Sequence, residues 1–337
     1  MKAIPADSSQ VRVAVTQSEP SWLDLGASVQ KTCDLIREAG QNGAQLVAFP
    51  ETWIPGYPVW IWDRPTDPVF HAKYIKNSLI VDSPEMKSIQ AAAAAQGISV
   101  SLGFSERLKT TLFISQVSID PAGQIVLHRR KMKPTHMERT IFGDGCESSL
   151  KSVVPLPFGR VGALACWEHV LPLLKFNTHL QDEQIHVAAW PPLFEPFSQG
   201  ELWSMTSPGN LSLSSKRANK LTLLGARTIS SAYAIEGGCF VLHSTAVISQ
   251  QAIEFFRTSN AALFNTPGGG SSAIFGPDGR KLSHDLPDKE EAILYANIDL
   301  DEILKVKGFL DSCGHYTSPH LLWLGVNDEA QELKRAT

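Results

Sequence analysis

The chain has 337 residues, of which 43% are apolar and 19% charged, with a formal net charge of −4. This is the composition of a soluble globular protein with ample length for a core, and it excludes a disordered chain. No basic stripe points to nucleic acid, and no apolar run is long enough for a membrane-spanning helix. The N-terminal ten residues lack the apolar stretch of a secretory leader. The five cysteines (33, 146, 166, 239 and 313) are odd in number and scattered, so free thiols in a reducing, cytoplasmic compartment are expected. Metal-ligand spacings such as Cys-x-x-Cys are absent, and neither a metal nor a cofactor is expected.

In chain order, Val11–Gln17 alternates like a strand, and Leu25–Gly40 carries apolar residues at helical spacing, with Cys33 on the apolar face. Gln45–Phe49 is a short apolar strand running into Pro50 and Glu51. A loop rich in Pro, Trp and Tyr follows from Thr52 to Asp67. Phe70–Lys76 looks helical. Ser83 and Pro84 form the cap and first position of a helix that continues through five alanines to Gly97. Ile98–Phe104 reads as a strand. Thr111–Ile119 and Gln124–His128 read as a hairpin around Asp120-Pro-Ala-Gly123. Arg160–Ala165 reads as a buried strand that ends at Cys166. The spacing then predicts a helix over Leu171–Leu180 and a strand over Ile185–Trp190. The stretch 192–220 is loop-like, a candidate lid or assembly contact. Leu221–Glu236 reads as helix, and Phe240–Ser244, Ser271–Phe275 and Ala292–Ile298 as strands, with helix and an arm after Leu300. Strands alternating with helices, with hairpins mixed in, give an α/β fold of mixed sheets covered by helices. No linker divides the chain, so one domain over 1–337 is expected, with flexible tails at 1–10 and 329–337.

Three polar signals stand at the ends of apolar strands: Glu51, Lys131 in the run His128-Arg-Arg-Lys131, and Cys166. Strand ends beside a crevice are where sheets place reactive groups. The three residue types make one coherent device. A thiolate attacks, a carboxylate takes and returns a proton, and an ammonium stabilises the charge that develops on nitrogen or oxygen. Such a set suits carbon–nitrogen bonds. The turn after the Cys166 strand and the helix behind it are expected to lower the thiol pKa. Singly, each residue has an ordinary alternative: a core cysteine, a solvated strand-end acid, a solvated basic turn.

The segments Phe49-Pro-Glu-Thr-Trp-Ile-Pro-Gly-Tyr-Pro58, Arg129-Arg-Lys-Met-Lys-Pro-Thr-His-Met-Glu-Arg139 with Gly143-Asp-Gly145, and Gly162-Ala-Leu-Ala-Cys-Trp-Glu-His169 resemble the signatures of the nitrilase branch of the carbon–nitrogen hydrolase superfamily. The likeness spans about residues 11–325 in order and includes His186-Val-Ala-Ala-Trp-Pro191 and Asp311-Ser-Cys-Gly-His-Tyr316. It implies an α-β-β-α sandwich that stacks across a dimer interface, with homodimers extending into larger assemblies or filaments. It places the catalytic triad on Glu51, Lys131 and Cys166 and a second pocket glutamate on Glu138. Lys133, nearer to Pro134, is not the matching lysine. The activity implied is hydrolysis of an organic nitrile, a small-molecule substrate, to acid and ammonia through a thioimidate and a thioester, with amide as a by-product. Cyanide hydration and amide hydrolysis are the alternatives within the superfamily, and an inactive filament-forming scaffold is the alternative outside enzymes. The Trp167 backbone N–H is expected to assist, and Tyr57, Trp167 and Trp190 are candidate substrate contacts. One departure is Gly314-His-Tyr-Thr-Ser-Pro-His320, where many relatives read Gly-His-Tyr-x-Arg-Pro-Asp. It puts an assembly or structural contact in doubt and leaves the chemistry intact.

Overall fold

A computed structural model describes residues 9–193, 225–261 and 263–327. Its first half runs β1 (Gln10–Ser18), α1 (Leu25–Gln41), β2 (Leu46–Ala48), α2 (Pro68–Asn77), α3 (Pro84–Gln96), β3 (Ser99–Leu108), β4 (Thr111–Ile119) and β5 (Ile125–Arg130). The second half runs β6 (Val153–Leu156), β7 (Gly159–Ala165), α4 (Pro172–His179), β8 (Ile185–Ala189), α5 (Gly225–Gly237), β9 (Phe240–Ala246), α6 (Gln250–Phe256), β10 (Ala273–Phe275), β11 (Ala292–Asp299) and α7 (Asp301–Phe309).

The strands form two sheets. One has the order β11-β1-β2-β3-β4-β5, and the other β10-β9-β8-β7-β6. Inner strands pair parallel and outer ones antiparallel. The sheets touch where β1 meets β9, at Gln17–Thr245 and Ser18–Ala246. Alternation along β1 explains the layering. Val11, Val13 and Val15 face Val161, Ala163, Val187 and Leu242 of the second sheet. Ala14 faces the other way, with Val47, under Ile36 of α1 and Ile89 of α3. On the far side Leu164, Ala188 and Val241 pack against Leu174 of α4 and Tyr233 of α5. The result is the expected α-β-β-α sandwich.

Local chemistry sets the element ends. Asp24 caps α1 through Ala27 N–H, and Ser83 caps α3 through Met86 N–H. The β4–β5 turn is held by Asp120, whose carboxylate accepts from Ala122 and Gln124 N–H.

Four details differ from the sequence reading. β6 was not anticipated; its Pro155 is exposed on a sheet edge, where the missing N–H costs nothing. α6 is short and was missed, although Ser249 caps it through Ala252 N–H. The strand expected from Ser271 starts only at Ala273, because Ser271 N–H donates to the Thr245 hydroxyl and the Ser272 hydroxyl accepts from Thr245 N–H. Gln10, placed in a tail, already pairs with Asp299 in β1. The other tail positions at 1–8 and 329–337 lie outside the described residues, as do most of the 192–220 stretch and the start of the helix expected from Leu221. No described helix is long and apolar enough to cross a membrane.

Candidate active site

Glu51, Lys131, Glu138 and Cys166 converge, and each is only 1% exposed. Glu51 follows β2. A Cβ on Gly103 of β3 would collide with the Pro50 carbonyl, so glycine there lets the Pro50–Glu51 backbone lie flat on the sheet. Lys131 continues the alternation of β5. Leu127 and Arg129 are buried while His128 is exposed, so Lys131 points inward too. Its N–H still donates to Ile114 of β4, at 2.7 Å. Glu138 sits in a 3₁₀ turn, His136–Thr140, where Thr135 N–H donates to its carboxylate at 2.6 Å. Cys166 opens a second 3₁₀ turn, Cys166–Val170, with φ +50°. A non-glycine residue in that region is uncommon and is held by its surroundings.

Lys131 Nζ donates to Glu51 Oε1 at 2.8 Å and to Glu138 Oε2 at 2.8 Å. Acceptor and thiol atoms of Glu51, Glu138 and Cys166 all lie within 4.8 Å of one another. These three have the donor types of a cation site, but the Lys131 ammonium already bridges both carboxylates and supplies the compensating charge. Among the described residues Glu51 Oε2 has no hydrogen-bond partner, which leaves one carboxylate oxygen open to a proton. Lys133 is 62% exposed and pairs with Asp144 at the surface.

Burial dominates the electrostatics. It pushes the Glu51 carboxyl up to about 8, against the pull of Lys131. Burial opposes the charge on Lys131, yet Glu138 and Glu51 hold its ammonium well above the usual range. Burial and then the Glu51 charge push the Cys166 thiol well above its usual value, although the Trp167 backbone N–H and Lys131 favour the thiolate. The expectation of a lowered thiol pKa is therefore corrected. The helix behind the turn, α4, begins only at Pro172, and a dry site with two carboxylates outweighs one turn of N–H dipoles. The thiol therefore rests protonated in the folded chain.

The candidate substrate contacts separate. The Tyr57 hydroxyl donates to Glu138 Oε1 at 3.0 Å and accepts from Trp62 Nε1 at 3.1 Å, so its polar end is committed to the glutamate. The Trp190 ring is fully buried between Trp167 and His169, and its N–H has no partner among the described residues. Trp167 is partly exposed.

Two further site residues carry no local signal of their pairing in the sequence. Arg129 and Glu168 form a buried, two-pronged ion pair at 2.8 Å on both prongs. The same carboxylate accepts from Met132 N–H and Ala165 N–H, each at 2.9 Å. This clip ties the Lys131 strand end to the Cys166 turn. The signal for Arg129 was the two-residue step from Leu127, hidden inside a basic run.

A family profile described as carbon-nitrogen hydrolase matches residues 12–307. The chain belongs to the carbon–nitrogen hydrolase family. It is 59% identical over 319 residues to an arylacetonitrilase of Aspergillus kawachii, covering 95% of this chain and 92% of the relative. It is 56% identical over 325 residues to an arylacetonitrilase of Hypocrea virens, covering 96% and 94%. Among solved structures, a carbon–nitrogen hydrolase from Helicobacter pylori G27 superposes with a TM-score of 0.68 at 20% identity, covering 90% of this chain and 93% of that one. The NitFhit protein of C. elegans gives 0.68 at 18%, covering 96% and 69%. At these identities the superpositions speak for the fold.

Proposed function

We propose that this protein is a nitrilase acting on arylacetonitriles, with Cys166 as nucleophile. The observation that carries the reading is a single ammonium held 2.8 Å from two buried carboxylates, with the thiol beside them. Glu51, in the carboxylate form that grows as pH rises toward about 8, takes the Cys166 proton as sulfur adds to the nitrile carbon, and passes it to the nitrogen. Lys131 and the Trp167 N–H stabilise the negative charge on that nitrogen. The product is a thioimidate. Water adds, with Glu138 and Glu51 orienting it, and ammonia leaves to give a thioester. A second water releases the acid and restores the thiol. If sulfur leaves the tetrahedral species in place of ammonia, amide is released.

The substrate class rests on the arylacetonitrilases to which the chain is similar, and Trp167 is the aromatic wall that supports it. Tyr57 acts through Glu138. Five unpaired cysteines support a reducing compartment. We also read the chain as one catalytic domain that works as a homodimer or larger homo-oligomer. Exposed Phe309, Leu322 and Trp323, beyond the sandwich, support that association. Sedimentation as a monomer would overturn it.

The test is ammonia, acid and amide measured over a panel of nitriles that includes phenylacetonitrile and cyanide, for wild type and Cys166→Ala. Ammonia and phenylacetate are expected from the wild type and nothing from the variant. Formamide from cyanide, with phenylacetonitrile untouched, would move the chain to the cyanide hydratases. Ammonia release by Cys166→Ala would remove the nucleophile.

A further inference from the structure

A second buried polar chain begins at the Cys166 carbonyl. It accepts from His169 Nδ1 at 2.6 Å. His169 Nε2 lies 2.9 Å from His186 Nε2, and His186 Nδ1 lies 2.7 Å from Glu183 Oε2. The other Glu183 oxygen accepts from the Tyr233 hydroxyl at 2.6 Å and from His179 Nδ1 at 3.0 Å. A Cβ on Gly162 would collide with Glu183 Oε2, so the glycine of the Cys166 strand clears the space for this carboxylate. His169, His186 and Glu183 are each at most 1% exposed.

The hydrogen bonds fix the protons. A carbonyl oxygen only accepts, so His169 carries its proton on Nδ1. Burial, and then the charge of His186, hold His169 well below its usual pKa, so its Nε2 is an acceptor. Burial opposes the charge on Glu183, but His186 and His179 keep it ionised, well below the usual carboxylate range. An ionised carboxylate only accepts, so His186 Nδ1 donates to it. His186 Nε2 closes the link to His169. Trp190 stacks on His169 at 5.3 Å, Tyr233 packs on both rings, and His243 opposes further charge on His169.

A trans peptide sets its C=O and its N–H on opposite edges. The hydrogen bond at the Cys166 carbonyl therefore bears on the Trp167 N–H, the donor that favours the Cys166 thiolate. Hydrogen bonds in series polarise one another. We propose that His169 and His186, backed by Glu183, are positioning residues that hold the strained Cys166–Trp167 peptide and polarise its N–H toward the charge that develops during attack. The column does not touch substrate. The proposal rests on Cys166 being the nucleophile.

The test compares His169→Asn, His169→Leu and His186→Gln with wild type. Asn at 169 keeps a donor for the Cys166 carbonyl but cannot reach His186. Gln at 186 keeps a donor for His169 but gives up the ring's second contact, to Glu183. The readouts are kcat and KM for phenylacetonitrile, the pH dependence of inactivation by iodoacetamide, and far-UV circular dichroism. We expect His186→Gln to lose about tenfold in kcat, a fraction of what removing such a donor outright costs, with KM within about twofold. The inactivation profile should shift to higher pH, and His169→Asn should recover part of what His169→Leu loses. Wild-type kcat and an unshifted profile in folded His186→Gln and His169→Asn would overturn the proposal, as would a change confined to KM. Should His169→Leu fail to fold, the two polar variants still decide. Ammonia release by Cys166→Ala would instead strike the nucleophile reading, so the two failures are told apart.

Discussion

Glu51 and Glu168 are the same residue type, each 1% exposed, yet their carboxyls move in opposite directions. Glu168 is taken out of water, which raises its pKa, but Arg129 and the N–H groups of Met132 and Ala165 more than compensate and hold it below the usual range. Glu51 shares one ammonium with Glu138, keeps an oxygen without a partner among the described residues, and is pushed up by burial to about 8. Burial is common to both, and the supply of donors is not. A saturated carboxylate is a fixed anion that holds structure. An undersupplied one is poised to take a proton.

Removing the saturated partner should do the most damage to folding. Glu168→Gln leaves Arg129 charged and unpaired in the interior, and a loss of about 3–5 kcal/mol is expected in urea denaturation. A loss below about 1 kcal/mol would erase the contrast. Glu51→Gln should leave stability unchanged or higher. It should cut kcat by at least about a hundredfold, or about 2.7 kcal/mol of barrier, read by ammonia release.

The pH dependence sharpens the same contrast. Burial pushes the folded Glu51 carboxyl up to about 8, from 4.5 for an ordinary glutamate. Between those values the folded chain binds the extra proton, so stability falls as pH rises through the window. The decline in melting temperature over that range should be shallower in Glu51→Gln. Glu168 has its folded pKa lowered, so its contribution is complete above the ordinary glutamate pKa and is lost only as pH falls below it. The smallest effect expected is that of Tyr57→Phe. It removes one hydrogen bond to Glu138, about 1 kcal/mol or roughly fivefold in kcat, with KM unchanged. A large rise in KM would instead make Tyr57 a substrate contact.

The legible and illegible parts divide along physical lines. β4 was readable to the residue because the Asp120-Pro-Ala-Gly123 turn marks where it ends. Cys166 and Glu51 were readable because an apolar strand stopping at a polar residue is a local pattern. The Arg129–Glu168 clip joins residues 39 apart in the chain, and no local pattern announces such a pair. The column behind Cys166 was equally hidden, since Glu183 and His186 stand in different elements from His169 and their geometry depends on how β7 and β8 pair. The thiol pKa was misjudged for the same reason. One turn's dipole is visible in sequence, whereas the dryness of the interior is a property of the assembled layers.

Glu51 and Lys131 hang from one sheet, and Cys166 hangs from the other. The proposed chemistry therefore depends on the registry between two slabs whose own hydrogen bonds would survive a small slip. Warming should silence turnover while far-UV ellipticity is still intact, because a sliding of about an ångström is enough to part the sulfur from the carboxylate proposed to take its proton.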